Sequence, residues 1–233
     1  MQKLLEAITL NFIKDNRYLY IVTGFKNTMI ITFFATIIGI ALGLIIALIR
    51  TTYDNTRKLK VANAICHIYI TIIRGTPVVI QLMILFFCIF TSRHVSGVMI
   101  AIIGFGMNSA AYVAEIFRSG LMSIEVGQME AGRSLGLSYL DTMRYIIIPQ
   151  AFKVVLPSLC NEFIVLIKET SIAGYVAVQD LTKGGDIIRS RTYDAWTPLL
   201  AVAGIYLLLT CIFSAFAKRL EQSLRKNERT NNG

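Results

Sequence analysis

The sequence predicts an all-α integral membrane protein with about five transmembrane helices, organised as a single domain over residues 1–233. Hydrophobic residues make up 55% of the chain, and the mean hydropathy is +0.62. This composition leaves too little polar surface to cover a soluble globule of 233 residues. Charge-free runs at residues 27–49, 95–114 and 195–217 each reach the ~20 residues that a helix needs to cross a bilayer.

The first twenty residues are expected to lie at the outer membrane interface. Charged residues interrupt any apolar core there, so this segment does not have the pattern of a cleavable signal. These residues are Glu6, Lys14, Asp15 and Arg17.

The predicted spans cover residues 24–49, 61–90, 95–117, 152–178 and 195–217. The second span carries Arg74 as its only charge and contains Pro77, so we expect one long helix with a kink. The fourth span carries Glu162, Lys168 and Glu169. Because charges are costly in hydrocarbon, this side of the fourth helix is expected to face protein or water.

The positions of lysine and arginine predict the orientation of the helices. Basic residues cluster after the first span, at residues 50–60, and in the tail, at residues 218–229, where they include Arg225, Lys226 and Arg229. Cytoplasmic loops are enriched in such residues. Five spans then place the N-terminus outside, and the C-terminus and the loop at residues 122–149 in the cytoplasm. The net charge of +9 has this origin, and no basic patch with interleaved aromatics predicts binding to nucleic acid.

The loop at residues 122–149 is expected to form a helix, a glycine turn and a second helix. Glu130 is placed near the start of the first helix, where its charge favours the positive end of the helix dipole. Gly136 suits the left-handed residue that closes such a helix. Ser138 with Asp141 predicts an N-cap for the second helix, which is expected to end at Pro149.

The same loop resembles the Glu-Ala-Ala signature of ABC-importer permeases. The matching residues are Glu130, Ala131, Gly136, Ile146 and Pro149, with Gly132 replacing the third small residue and Ile148 replacing leucine. Segments at residues 73–82, 111–120 and 166–171 are similar to permeases for polar amino acids, the histidine/glutamine/arginine group. The resemblance extends over about residues 20–220.

This resemblance implies a type I ABC-importer permease in a bacterial inner membrane. It implies a second permease subunit, either a copy or a sister chain, a dimer of ATP-binding subunits, and an extracytoplasmic amino-acid-binding protein. Coupling to the ATP-binding subunit would fall to Glu130, Ala131, Gly132 and Gly136. The small residues Ala131 and Gly132 would let the partner approach closely, and Glu130 would pair with a basic residue of the partner. ATP and magnesium would bind to that partner.

The chain itself is not expected to be an enzyme. The sequence has no G-x-x-x-x-G-K-[ST] phosphate-binding loop. Its four cysteines are scattered through predicted spans without a C-x-x-C pair, so neither a metal site nor a cofactor is expected in this chain.

The candidate residues of the substrate path are Arg74, Asn161, Glu162, Lys168 and Glu169. Glu162 and Glu169 are two helical turns apart on one face, with Asn161 and Lys168 forming a stripe beside them. Such groups can match the two charges of an amino acid, and the carboxylates favour a basic one. The alternatives are that these charges pair with one another for assembly, and that Arg74 belongs to a hinge or an interhelical ion pair.

Two other functional classes compete with the importer. An ATP-independent channel or an ion-gradient-driven transporter would explain the membrane helices and their charges, but would leave the loop at residues 122–149 without a purpose. A membrane-embedded enzyme would need a nucleophile, metal or histidine constellation that the sequence does not offer.

Overall fold

The computed structural model describes residues 2–92 and 94–231, without the side chains of residue 4 and residues 225–231. The tail residues Arg225, Lys226 and Arg229 therefore lie outside the described side chains. The helices are α1 (Gln2–Ile8), α2 (Tyr18–Thr56), α3 (Lys60–Gly75), α4 (Val78–Ile84), α5 (Gly97–Met122), α6 (Val126–Ser134), α7 (Tyr139–Thr142), α8 (Ile148–Glu169), α9 (Leu181–Thr192) and α10 (Trp196–Asn231). No strand occurs in these described ranges, which confirms the predicted all-α class.

Four helical stretches are long and apolar enough to cross a membrane, namely Tyr18–Thr56, Gly97–Met122, Tyr139–Val176 and Trp196–Leu224. The third stretch is continuous because a π-helical turn, Met143–Ile147, joins α7 to α8, and a 3-10 turn, Thr170–Val176, follows α8. A further pair, Lys60–Gly75 and Val78–Ile89, passes the same test together. The described chain thus offers four or five spans, as the composition predicts.

The second predicted span is not one kinked helix, and that expectation is wrong. Its halves, α3 and α4, are bent by 109°. Thr76 is extended (φ −125°, ψ 148°), because the residue before a proline is disfavoured in the α region. Gln81 Nε2 donates to the carbonyls of Ile73 at 2.8 Å and Thr76 at 3.1 Å, so this side chain satisfies carbonyls that the end of α3 leaves open.

Among the described helices, the most extensive packing is between α2 and α5. A Cβ placed on Gly39 would lie 2.8 Å from Ser109 Oγ, and one on Gly43 would lie 2.6 Å from Val113 Cγ1. From the other side, a Cβ on Gly106 would lie 2.7 Å from Ile38 Cγ2. Small residues four apart let two membrane helices approach this closely, as in the G-x-x-x-G pattern. The pairing of α2 with α5 therefore fixes the centre of the bundle.

One end of α2 is fastened to the segment around α9. A Cβ on Gly24 would lie 2.4 Å from the carbonyl oxygen of Asp180, and the backbone N–H of Leu181 donates to Thr28 Oγ1 at 3.1 Å. Asp180 is fully buried and caps α9 by accepting from the backbone N–H of Lys183 at 3.0 Å. Burial raises the pKa of the Asp180 carboxyl from 3.8 to about 6.

Replacing Gly43 with Val should loosen the bundle, because the new side chain would collide with Val113. Overpacking of this kind costs ~1–3 kcal/mol. The measurement is the midpoint of thermal unfolding in nanodiscs. The control is Gly204→Ala in α10, where a Cβ meets nothing within 4 Å. If both variants have the same thermal midpoint as the parent protein, α2 and α5 do not pack as closely as described.

Replacing Asp180 with Asn should stabilise the protein at about pH 7.5, because asparagine caps helices as well as aspartate does and carries no charge to bury. The folded-state pKa of Asp180 lies above its unfolded value, so stability falls as the pH rises from about 4 to about 6. The gain of the variant should therefore shrink as the pH is lowered towards about 4. The thermal midpoint measured against pH checks this, and a change that is equal at every pH would contradict it.

Candidate functional site

The loop between α5 and α8 is a rigid protrusion closed by a glycine. Gly136 has φ +86°, which confirms the predicted left-handed residue. Its N–H donates to the carbonyl of Arg133 at 3.0 Å, and the N–H of Leu137 donates to that of Gly132 at 3.2 Å. These two bonds form a Schellman motif at the end of α6. The predicted N-cap is also confirmed, because Ser138 Oγ accepts from the N–H of Asp141 at 3.1 Å.

The end of α6 packs against the segment that follows it in the same chain. Gly132 is buried, and a Cβ there would lie 2.6 Å from Thr142 Cγ2 and 3.1 Å from Ile146 Cδ1. The close approach that Gly132 permits is thus between α6 and the following segment of the same chain, and not the approach of a partner. Ala131 and Glu130 are exposed, so these two residues belong to the accessible part of α6.

Two expectations about this loop are wrong. Glu130 is the fifth residue of α6 and lies beyond its first turn, which contains no acidic residue, so the helix dipole does not stabilise it there. The second helix does not end at Pro149 either. The π-helical turn Met143–Ile147 leads into α8, and Pro149 lies in the first turn of α8, directly after this π-helical turn. Local π-helical geometry is one way in which a membrane helix tolerates a proline in its interior.

Polar side chains from three helices meet on α5 at the middle of the bundle. Ser109 Oγ donates to Glu162 Oε1 of α8 at 2.9 Å, and Asn108 Nδ2 donates to Gln81 Oε1 of α4 at 3.2 Å. Asn108 and Ser109 are 3% and 1% exposed. Ser109 also packs on Gly39, which lies near the centre of the apolar run at residues 27–49. Glu162 is therefore held at mid-depth of the apolar layer.

Arg74 lies over the ring of Tyr112 in α5, with its guanidinium carbon 5.3 Å from the ring centroid. Glu115 instead pairs with Arg118 and, at 3.7 Å, with Arg50 of α2. Among the described residues, no ion pair joins Arg74 to Glu115. Arg74 is exposed and lies in the last turn of α3, so its charge remains accessible next to the break before α4.

The remaining candidates divide between two faces of α8. Glu162 and Glu169 are half-buried, whereas Asn161 and Lys168 are exposed. The predicted double stripe is therefore split, with the carboxylates turned towards the bundle and the other two side chains turned away from it. Arg74 and Lys168 are not brought into an ion pair with either carboxylate in the described part of the chain.

Sequence reasoning missed several residues that organise this site. Gln81, Asn108 and Ser109 join α4 and α8 to α5, and Gly39 with Gly43 brings α2 against the same stretch. The sequence contains a signal for the glycine pair and one for the polar residues of α5. Gly39-x-x-x-Gly43 is the pattern of close helix pairing, and Asn108-Ser109 interrupts an otherwise apolar run.

No group of three or more histidine, cysteine, aspartate or glutamate side chains that could hold a metal ion occurs within residues 2–92 and 94–231.

Comparison with known proteins places the chain in a family. Residues 39–226 match the model of the family described as "Binding-protein-dependent transport system inner membrane component". The "Probable amino-acid ABC transporter permease protein YckA" of Bacillus subtilis (strain 168) is 39% identical, over 87% of this chain and 88% of that protein. The "Glutamine transport system permease protein GlnP" of Escherichia coli (strain K12) is 36% identical, over 83% of this chain and 90% of that protein.

Solved structures agree with these relatives. A chain of the "Crystal structure of an amino acid ABC transporter with histidines" superposes with a TM-score of 0.82 and 37% identity, over 88% of this chain and 94% of that one. A chain of the MetNI methionine ABC transporter in an inward-facing conformation has a TM-score of 0.77 over 91% of this chain and 99% of that one. Its identity is 20%, so it supports the fold alone. The chain therefore belongs to the binding-protein-dependent transport system inner membrane components and, within them, to the amino-acid ABC transporter permeases.

Proposed function

We propose that this chain forms the translocation path of an ATP-driven importer of polar amino acids and transmits ATP hydrolysis from a separate subunit. The observation that carries the proposal is the rigid α6–α7 protrusion, which is closed by the Schellman motif at Gly136 and sealed by Gly132 against Thr142. A lever must not absorb the displacement that is applied to it. Exposed Glu130 and Ala131 form the face offered to the ATP-binding subunit.

The proposed assembly has two permease subunits, two ATP-binding subunits that hold ATP and magnesium, and an extracytoplasmic amino-acid-binding protein. The α6–α7 protrusion and the C-terminus are cytoplasmic, and the N-terminus is outside. Support comes from the basic residues that follow α2 and from those at the end of α10, on the same side as the protrusion in this topology. Three polar side chains are exposed in the apolar layer, namely those of Arg74, Asn161 and Lys168. Contact with lipid would cost each of them free energy, so a second permease subunit or a water-filled path covers them.

Glu162 is the proposed ligand of the substrate ammonium. It combines a mid-depth position with one hydrogen bond, from Ser109, among the residues that the structure describes, so its carboxylate keeps acceptor capacity for a second donor. Transporter sites commonly lie near the bilayer midplane. Arg74 supplies a cation for the substrate carboxylate, while Asn161, Lys168 and Glu169 line the path towards the far end of α8. Two carboxylates on this path favour a basic amino acid.

The competing function is an ATP-independent channel or gradient-driven transporter. A direct test is ATPase activity in nanodiscs, with this chain assembled with its ATP-binding subunit, the binding protein and a panel of amino acids. We expect one amino acid to stimulate hydrolysis. Transport by this chain alone, without assembly with any ATPase, would favour the channel or gradient-driven function.

The glycine turn generates a sharp prediction for coupling. Gly136→Val should lose amino-acid-stimulated ATPase activity, because a branched residue at positive φ costs ~1–2 kcal/mol and distorts the turn. The control is Gly136→Asn, since asparagine tolerates the left-handed conformation and a Cβ there meets nothing within 4 Å. This variant should retain most of the stimulation. Full stimulation of ATPase activity in the valine variant would show that coupling does not depend on this turn.

The mid-depth carboxylate generates a second prediction. Glu162→Gln keeps an acceptor for Ser109 but removes the charge, and hydrogen bonds to charged groups contribute ~1.5–3 kcal/mol. The KM for import should therefore rise roughly 10- to 100-fold, with assembly unchanged. Ser109→Ala should have a smaller effect, and Glu6→Gln, on exposed α1, should have none. An unchanged KM in Glu162→Gln would exclude Glu162 as a ligand.

A further inference from the structure

Two cavities meet at the end of the bundle that carries α6. The first, of about 550 Å³, is almost wholly apolar and lies between α2, α5 and α8, with Leu48, Phe117 and Phe152 in its wall. The second, of about 540 Å³, is bounded by the ends of α2 and α5 and by α6, and contains Asp54, Arg118 and Glu125. The cavities share five lining residues, namely Thr51, Asn55, Leu121, Tyr139 and Met143.

The boundary between the cavities coincides with the edge of the apolar layer. Leu48 lies inside the apolar run at residues 27–49, and Asp54 lies beyond it. Asn55 Nδ2 donates to Tyr139 Oη at 3.1 Å at this boundary. The first cavity, at hydrocarbon depth, continues into one that carries charged side chains at the interface, and this arrangement has the outline of an amphiphile. The surrounding bilayer is the source of such molecules.

The charged side chains of the second cavity specify the headgroup. Asp54 and Glu125 are exposed. In the described part of the chain neither side chain forms a close ion pair or a hydrogen bond, although Asp54 attracts Arg118 electrostatically at longer range. Arg118 directs Nε and Nη2 to Glu115, while its Nη1 contacts only the sulfur of Met122, which is a weak acceptor. The cavity thus offers two carboxylates to an ammonium and one guanidinium N–H to a phosphate oxygen.

We propose that this double cavity binds a membrane phospholipid with a primary ammonium in its headgroup, of the phosphatidylethanolamine type. The acyl chain lies against Leu48 and Phe152, the phosphate accepts from Arg118 Nη1, and the ammonium donates to Asp54 and Glu125. Val126 and Met129 of α6 also line the second cavity. The lipid therefore lies beneath the protrusion and supports its position on the bundle.

The test measures lipid retention and does not depend on transport. The permease, assembled with its ATP-binding subunit, is reconstituted with equal amounts of phosphatidylethanolamine, phosphatidylcholine and phosphatidylglycerol. It is then extracted into mild detergent and analysed by native mass spectrometry. The ethanolamine lipid should be retained roughly 10-fold over the others, because the choline group has no N–H to donate and the glycerol group has no cation.

The double variant Asp54→Asn, Glu125→Gln should abolish this preference, and Leu48→Trp should reduce retention of every lipid by filling the apolar cavity. Glu6→Gln is the control and should behave as the parent protein. Equal retention of the three lipids, or an unchanged preference in the double variant, would overturn the proposal. A double variant that releases the ATP-binding subunit while keeping its lipid would instead assign the two carboxylates to a protein contact.

Discussion

The close approach of α2 and α5 is the constraint on which the rest of the structure depends. Gly39 and Gly43 remove the side chains that would keep the helices apart, and Ser109 and Val113 occupy the space. In a bilayer no hydrophobic force distinguishes helix from lipid, so packing at this distance and buried hydrogen bonds must hold the bundle. Both occur on the same stretch of α5, because Ser109, which packs on Gly39, also bonds Glu162 of α8.

The break between α3 and α4 depends on the same helix. Pro77 removes a donor and forces Thr76 to be extended, which leaves carbonyls at the end of α3 without partners. Gln81 supplies donors to two of them and accepts from Asn108 of α5. A polar residue in the apolar layer thus has a structural purpose here. It donates hydrogen bonds to backbone carbonyls that would otherwise have no partner in hydrocarbon. It also fixes the end of α3, where Arg74 lies.

Hydropathy and charge predicted the all-α membrane class and four of the helical spans, because both follow from the cost of burying a polar group. The glycine in the loop predicted where α6 ends, because this end depends on a single φ angle. The 109° break and the internal burial of Gly132 were missed. Both depend on tertiary contacts, with Gln81 in one case and Thr142 in the other. Similarly, the heptad spacing of Glu162 and Glu169 indicated a shared face, but only the packing of α8 shows that this face turns inward.

The continuity of α7 with α8 links the two proposed sites. From Tyr139 to Val176 the chain is one helical stretch, so Glu162 and α7 belong to the same rod, and α6 packs on this rod where Gly132 meets Thr142. Ser138, which caps α7, precedes Glu162 by 24 residues, or ~36 Å along the axis. A displacement of α6 by an ATP-binding subunit would reach the carboxylate without crossing a flexible loop. The π-helical turn Met143–Ile147 and Pro157 within α8 are the points where this rod can bend. In the proposed importer, alternating access is therefore a tilt of α8 against the fixed α2–α5 pair, which breaks or remakes the bond between Ser109 and Glu162.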